Sequence, residues 1–129
     1  MKKNYYLLRA SLFLIALMFV RNNSFGFEVS VGGLRYEISG DTARVTEPVS
    51  SYITECSIPE SVTYQGVSYL VRGIGTYAFF HCKNLTSVSI PSSMRRIGYQ
   101  AFFGCTSLTS VNIPSSVMSI EDETFGDCI

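Results

Sequence analysis

The chain is short of the residues that catalysis and polyanion binding require. Among 129 residues there is one histidine, His81, so no zinc-type ligand spacing can be drawn. His81 stands beside Cys82, and nucleophilic cysteine chemistry needs thiolate and imidazole within hydrogen-bond reach. Neighbours at a chain corner point apart when one of them faces inward, so the pair reads as a buried thiol beside a surface histidine. No catalytic residue, metal or cofactor is expected. Basic residues are scarce as well. All ten acidic residues lie beyond Gly26, but only six of the ten basic ones do (Arg35, Arg44, Arg72, Lys83, Arg95, Arg96), which leaves that part of the chain at about −4. Arg95 and Arg96 alone make no basic patch, which argues against nucleic acid or an anionic membrane surface as partner. A long apolar run is missing too. The run from Ala10 to Val20 ends at Arg21, Asn22 and Asn23, short of the roughly 20 residues of a bilayer-spanning helix.

What that run does resemble is a secretory leader. Lys2, Lys3 and Arg9 precede it, the charged-then-apolar order of a signal peptide, and Ser24 and Gly26 supply small residues for cleavage near Gly26. Residues 1–26 are therefore assigned to a leader and the mature chain to the cell exterior, secreted or displayed. No membrane insertion is expected once the leader is removed. No cysteine follows the apolar run closely, so a lipid anchor is not indicated.

The dominant feature is a repeat. Ile74, Ala78, Phe79, Cys82, Leu85, Val88, Ile90 and Pro91 recur 23 residues later as Ile97, Ala101, Phe102, Cys105, Leu108, Val111, Ile113 and Pro114. Ile120, Thr124, Phe125 and Cys128 begin a third copy at the same offsets. Such a period marks a solenoid, whose units are too small to hold a core alone and are stable only when stacked. The offsets of Ile97, Ala101, Phe102 and Cys105 suit one face of a short helical turn. Leu108, Val111 and Ile113, with Ser110 and Asn112 facing the other way, suit a strand stopped by Pro114. Val117 to Ile120 reads as a second short strand. The expected fold is mainly a β-solenoid with two parallel ladders and a short helical corner in each rung.

Between residues 27 and 73 alternation replaces the period. Leu34, Tyr36 and Ile38 alternate with Arg35 and Glu37, turn at Ser39 to Thr42 and return over Ala43 to Thr46; a second hairpin runs from Val62 to Tyr64 and from Val67 to Val71. Cys56, Ser57, Ile58 and Pro59 match Val88, Ser89, Ile90 and Pro91 and read as a degenerate first rung. The spacing from Ile58 to Ile74 exceeds that from Ile90 to Ile97 by nine residues, about one hairpin. The second hairpin therefore reads as an insertion that helps close the N-terminal end of the stack.

The pattern I-x-x-x-A-F-x-x-C-x-x-L-x-x-V-x-I-P-S-S resembles the BspA-type leucine-rich repeat. The segment Val62, Tyr64, Gly66, Tyr69, Val71, Ile74, Gly75 looks like the hairpin that leads into the first repeat of such proteins. The resemblance covers roughly Gly33 to Ile129. It implies a leucine-rich-repeat-like fold with an N-terminal β-hairpin cap (27–73) followed by repeats (74–129, two full and a third cut short). It also implies a secreted or surface-displayed bacterial protein whose relatives act as adhesion and host-protein-binding modules. Two positions depart from the pattern, Thr124 in place of Ala and Glu121 in place of Gly, both in the last copy.

Stacked inward, Cys82, Cys105 and Cys128 point the same way. Rungs lie about 4.8 Å apart, while disulfides want Cβ atoms nearer 3.8 Å, so free buried thiols are expected. The candidate binding residues are then the outward ones. Tyr77, Phe80, Tyr99 and Phe103 form a strip of rings on the corner, which serves either as a contact surface or as a cover over neighbouring turns. Ser87, Ser89, Ser110 and Asn112 line a flat polar face of the main ladder. The expected function is a non-catalytic exported module that binds an extracellular protein or a glycan. The alternative is a structural cap and first rungs of a longer surface protein. An uncapped last rung adds an expectation of self-association through that end.

Overall fold

The computed structural model describes residues 26–129, so the leader expectation lies outside the described residues, apart from its last position. Three strands open the fold as an antiparallel meander: β1 (Phe27–Val31), β2 (Leu34–Ser39) and β3 (Thr42–Pro48). Gly32 and Gly33 both take positive φ, 58° and 82°, as a two-residue hairpin turn of the type that follows strand twist demands. Alternation along β2 buries Leu34, Tyr36 and Ile38 and leaves Arg35 exposed. After β4 (Glu55–Ser57) comes a second hairpin, β5 (Ser61–Tyr64) and β6 (Val67–Ile74). Both hairpins thus form where the sequence alternates.

The remaining strands are very short: β7 (Ser87–Ser89), β8 (Arg96–Ile97), β9 (Ser110–Asn112) and β10 (Ser119–Ile120). They join two parallel ladders. One sheet runs β1-β2-β3-β6-β8-β10, with β5 on the side of β6, and the other runs β4-β7-β9. Cys56 pairs with Val88 and Val88 with Val111, so the segment around Cys56 is a rung of the solenoid. The structure extends that rung further back than Cys56, because β3 pairs in parallel with β6, Val45 opposite Ile74. The chain from Thr42 to Ser57 is therefore one turn of the solenoid.

That placement changes the role of the two hairpins. Leu70 pairs with Thr42 on one side and with Ser61 on the other, so β5 flanks β6 on the side that β8 occupies. It is β3, with β2 and β1 outside it, that covers the N-terminal edge of the stack. The insertion thus lengthens β6, and the first hairpin does the closing.

The corners differ from regular helix. Among the described residues no helix forms; each corner is a chain of i to i+3 bonds, as in Ala78 N–H to Gly75 O (3.2 Å), Phe80 N–H to Tyr77 O (3.0 Å) and Cys82 N–H to Phe79 O (3.1 Å). Tyr77 and His81 interrupt it with φ of 58° and 56°, and Gln100 (50°), Gly104 (71°), Glu123 (55°) and Asp127 (52°) repeat the interruption. A left-handed residue at every fourth position breaks the 3.6-residue period while keeping the helical spacing of inward side chains.

The core follows the repeat. Phe79 and Phe102 are wholly buried and stack at 5.0 Å and 5°, and Phe102 stacks on Phe125 at 5.4 Å and 5°. Ile74, Ala78, Cys82 and Leu85 of the first full rung and Ile97, Ala101, Cys105 and Leu108 of the second are buried beside them. Thr124 is buried in the Ala column, and its hydroxyl lies 2.6 Å from Glu121 O and 3.1 Å from Gly98 O. The Glu121 carboxylate accepts the Tyr99 N–H at 3.1 Å and lies 3.6 Å from Arg96. Both departures in the last copy thus make polar contacts that alanine and glycine lack.

Candidate functional site

Each corner presents backbone along the stack in a fixed rhythm. Tyr77, Phe79 and His81 donate N–H groups to the carbonyls of Tyr99, Ala101 and Phe103, at 3.0, 2.7 and 2.8 Å. Gln100, Phe102 and Gly104 donate in turn to Asp122, Thr124 and Gly126, at 3.2, 2.9 and 2.9 Å. This corner ladder holds the turns in register and fixes the outer side chains over one another.

The four predicted rings come together on that corner. Tyr77 meets Tyr99 edge-on at 5.7 Å and Phe80 at 5.3 Å, and Phe80 stacks on Phe103 at 5.5 Å and 15°. His81 joins them, 4.2 Å from Phe80 and 5.9 Å from Phe103. The strip also covers the turns beneath. A Cβ on Gly104 would lie 2.2 Å from the His81 ring, and one on Gly126 would lie 2.7 Å from the Phe103 ring, so both rings rest on glycines of the following rung. Tyr99 and Phe103 are half-buried, whereas Tyr77 and Phe80 keep 51% and 41% of their surface exposed. Partial desolvation, with the nearby Glu123 carboxylate second, holds the Tyr99 phenol above its ordinary range.

The polar residues form a separate surface. Ser87 pairs with Ser110 and Ser89 with Asn112, all exposed on the outer face of the β4-β7-β9 sheet. No hydrogen bond joins them to the ring strip among the described residues. They make a flat face, while the rings make a ridge.

The cysteines line the interior unbridged. Cys105 Sγ lies 3.1 Å from Phe79 O, and Cys128 Sγ lies 3.1 Å from Phe102 O. Burial, and after it the neighbouring thiol or thiols, pushes Cys56 up to about 11 and Cys105 up to about 12; burial raises Cys82 and Cys128 too. A thiol so protonated is a poor nucleophile, and no group of three His, Cys, Asp or Glu side chains among the described residues is placed to hold a metal.

One feature escapes a reading of the sequence. Beside the ring strip lies a groove of about 490 Å³ between the end of β3 (Thr46, Glu47, Pro48, with Val49 and Ser51 beyond) and the first full corner (Thr76, Tyr77, Ala78, Phe80). Its walls come from segments some thirty residues apart, and the repeat pattern contains no cue for it, because the wall on the β3 side lies in the turn where the period fails.

A stack of parallel rungs with inward aliphatic and phenylalanine columns defines the leucine-rich class of solenoid. The family model described as BspA type leucine-rich repeat region (6 copies) matches residues 72–129. A leucine-rich repeat protein from Bacteroides capillosus is 31% identical, with 74% of this chain and 88% of that chain covered and a TM-score of 0.64. One from Bacteroides ovatus is 33% identical over 70% of this chain, TM-score 0.65, and one from T. pallidum 29% identical over 79%, TM-score 0.66. This chain spans 24% of the Bacteroides ovatus protein and 46% of the T. pallidum protein. No curated protein matches it. The chain belongs to the BspA-type leucine-rich-repeat family.

Proposed function

We propose that the protein is a non-catalytic, exported repeat module that binds an extracellular protein or glycan through its corner strip. The observation that carries this is the continuous ridge of Tyr77, Phe80, Tyr99 and Phe103, whose upper two rings stay exposed although aromatic side chains are the costliest to leave in water. Buried on contact, rings of this kind supply a large share of interface energy. The leader-like start, Lys2 and Lys3 ahead of the run from Ala10 to Val20, supports export. So does a relative from Faecalibacterium prausnitzii described as a leucine rich cell surface protein, 30% identical over 78% of this chain. The test is a binding panel of host extracellular proteins and glycans with wild type and the Phe80→Ala/Phe103→Ala double variant. The double variant is expected to bind about tenfold weaker or less, and equal binding would remove the strip from the function.

A second reading is favoured by the last described turn, where Met118 (83%) and Ile120 (47%) are exposed. Leu108, Val111, Ile113, Phe125 and Cys128 there frame a cavity of about 290 Å³. This face suits self-association, or the stacking of a further rung in a structural stretch of a longer surface protein. Light scattering of the chain with and without Ile120→Glu distinguishes the first case; a monomer in both excludes it.

A further inference from the structure

The corner ladder has a vacant register. The carbonyls of Tyr99, Ala101 and Phe103 each accept an N–H from the turn before, and so do those of Asp122, Thr124 and Gly126. One period earlier the same positions are Thr76, Ala78 and Phe80, and their carbonyls accept no hydrogen bond from any described residue. The cause is the length of the preceding turn. Val45 pairs with Ile74 and Cys56 with Val88, so the first corner spans eleven positions where the next spans fourteen. It also contains Pro48, which has no N–H to give. The shortened corner cuts across, and the groove of about 490 Å³ is what it leaves, a volume within the roughly 300–1,000 Å³ of ligand pockets.

We infer that this groove takes a polypeptide segment of a partner, coiled as the corner turns below it are, which completes the corner ladder. Its alternate N–H groups bond the carbonyls of Thr76, Ala78 and Phe80, and its apolar side chains pack on Val49, Tyr77 and Phe80. The groove is continuous with an interface the molecule builds twice below it, and both occupied registers are filled by backbone donating at every second residue. Three acceptors at alternate residues match the alternate N–H groups of a polypeptide, which is what fills both registers below. As in strand addition, main-chain bonds give affinity and side-chain pockets give selectivity, here along a ladder of turns. It rests on the reading that the corner is the recognition face and narrows the ligand to protein.

The full chain is panned against a phage-displayed random-peptide library and, in parallel, applied to a glycan array. The best peptide is then resynthesised with single N-methyl groups stepped along its backbone. Methylation at alternate residues is expected to weaken binding about tenfold or more and methylation between them to change it little. Ser51→Trp, which fills the groove, is expected to abolish binding, with Val49→Arg as the second variant should the first fail to fold. Arg35→Met, on the exposed surface of the cap and away from the corner, leaves peptide binding within about twofold. No selected peptide, glycan binding alone, or N-methyl sensitivity without alternation overturns the inference. Loss of peptide binding in Phe103→Ala with retention in Ser51→Trp overturns the groove while leaving the outer strip as the site.

Discussion

The cap and the repeats hold together by different means. In the cap, strands of five, six and seven residues pair with their sequence neighbours in antiparallel fashion. In the repeats the strands are two or three residues long and pair in parallel across 23 positions. Two ladder bonds cannot hold a rung, so the repeats depend on the inward columns and the corner ladder, both of which need a neighbouring rung. The cap forms from local contacts; a repeat exists only as part of a stack. β6, eight residues long, belongs to both, pairing with β3 on one side and with β5 and β8 on the other.

The largest test removes a ring from the middle of the column. Phe102 is sandwiched between Phe79 and Phe125 with no exposed surface, so Phe102→Ala is expected to cost about 3–5 kcal/mol in urea titration. Phe125, at the same repeat position but 36% exposed, is expected to cost about a third of that when truncated, because much of its area is never taken out of water. Hydrogen exchange in Phe102→Ala should quicken at the corner amides of Tyr77, Phe79 and His81 more than in β2 and β3. Equal loss of protection in both regions would show a single cooperative unit and break the distinction between cap and stack.

Alkali separates the regions next. Folded Cys105 keeps its proton until about 12, against 9.0 for the exposed thiol, because burial first and the neighbouring thiols second disfavour the thiolate. Between those values the unfolded chain binds fewer protons than the folded one, so stability falls as pH rises above 9, by about 1.4 kcal/mol per pH unit at full difference. In the meander of β1, β2 and β3 the corresponding group is Tyr36, pushed from 10.0 to about 12, chiefly by burial and then by the Cys56 thiol, so the loss from that group begins only above pH 10. Denaturation of wild type and Cys105→Ala between pH 8 and pH 10 is expected to show a shallower slope in the variant, and an unchanged slope would place the thiol in contact with water.

The same division decides what could be read from the sequence. Inward positions of the repeat announce themselves because one spatial column is one residue type at a fixed interval; Phe79, Phe102 and Phe125 are the clearest case. The hairpins are legible because alternation in Leu34, Tyr36 and Ile38 reports a half-buried strand directly. Hidden was the parallel pairing of β3 with β6, which joins residues 28 or 29 positions apart with no periodic cue; β1 carries the same signal as β2, Phe27, Val29 and Val31 alternating with Glu28 and Ser30, in a run too close to the leader boundary to be read as a strand there. The corner misled for a physical reason: left-handed residues at Tyr77 and His81 preserve helical spacing without helical bonding. Of the candidate site the rings were legible as a column, but the groove beside them was not, since it arises from residues the short first corner lacks.

Gly104 tests that corner geometry. It alone among its column, His81 and Asp127, is glycine, with φ of 71°, and the His81 ring rests where its Cβ would be. Gly104→Ala is expected to cost the left-handed penalty of an L-residue, about 1–2 kcal/mol, plus the cost of displacing the His81 ring, and thermal unfolding of the variant measures the sum. The double variant His81→Ala/Gly104→Ala should recover only the steric part; full recovery would mean that the backbone carries no strain there.

The smallest effect belongs to the cap's surface. Arg35 and Glu47 lie 2.7 Å apart across β2 and β3, with side chains 47% and 53% exposed. An ion pair that open to solvent is worth about 0–1 kcal/mol and is screened by salt. Arg35→Met is therefore expected to shift the urea midpoint barely, and less again at high salt. The cross-strand position keeps the methionine stem against the neighbouring strand, so what is lost is charge alone. A drop as large as that of Gly104→Ala would mean that the cap, like the stack, leans on contacts made at its surface, because its interior alternation would then be too weak to hold β2 and β3 together.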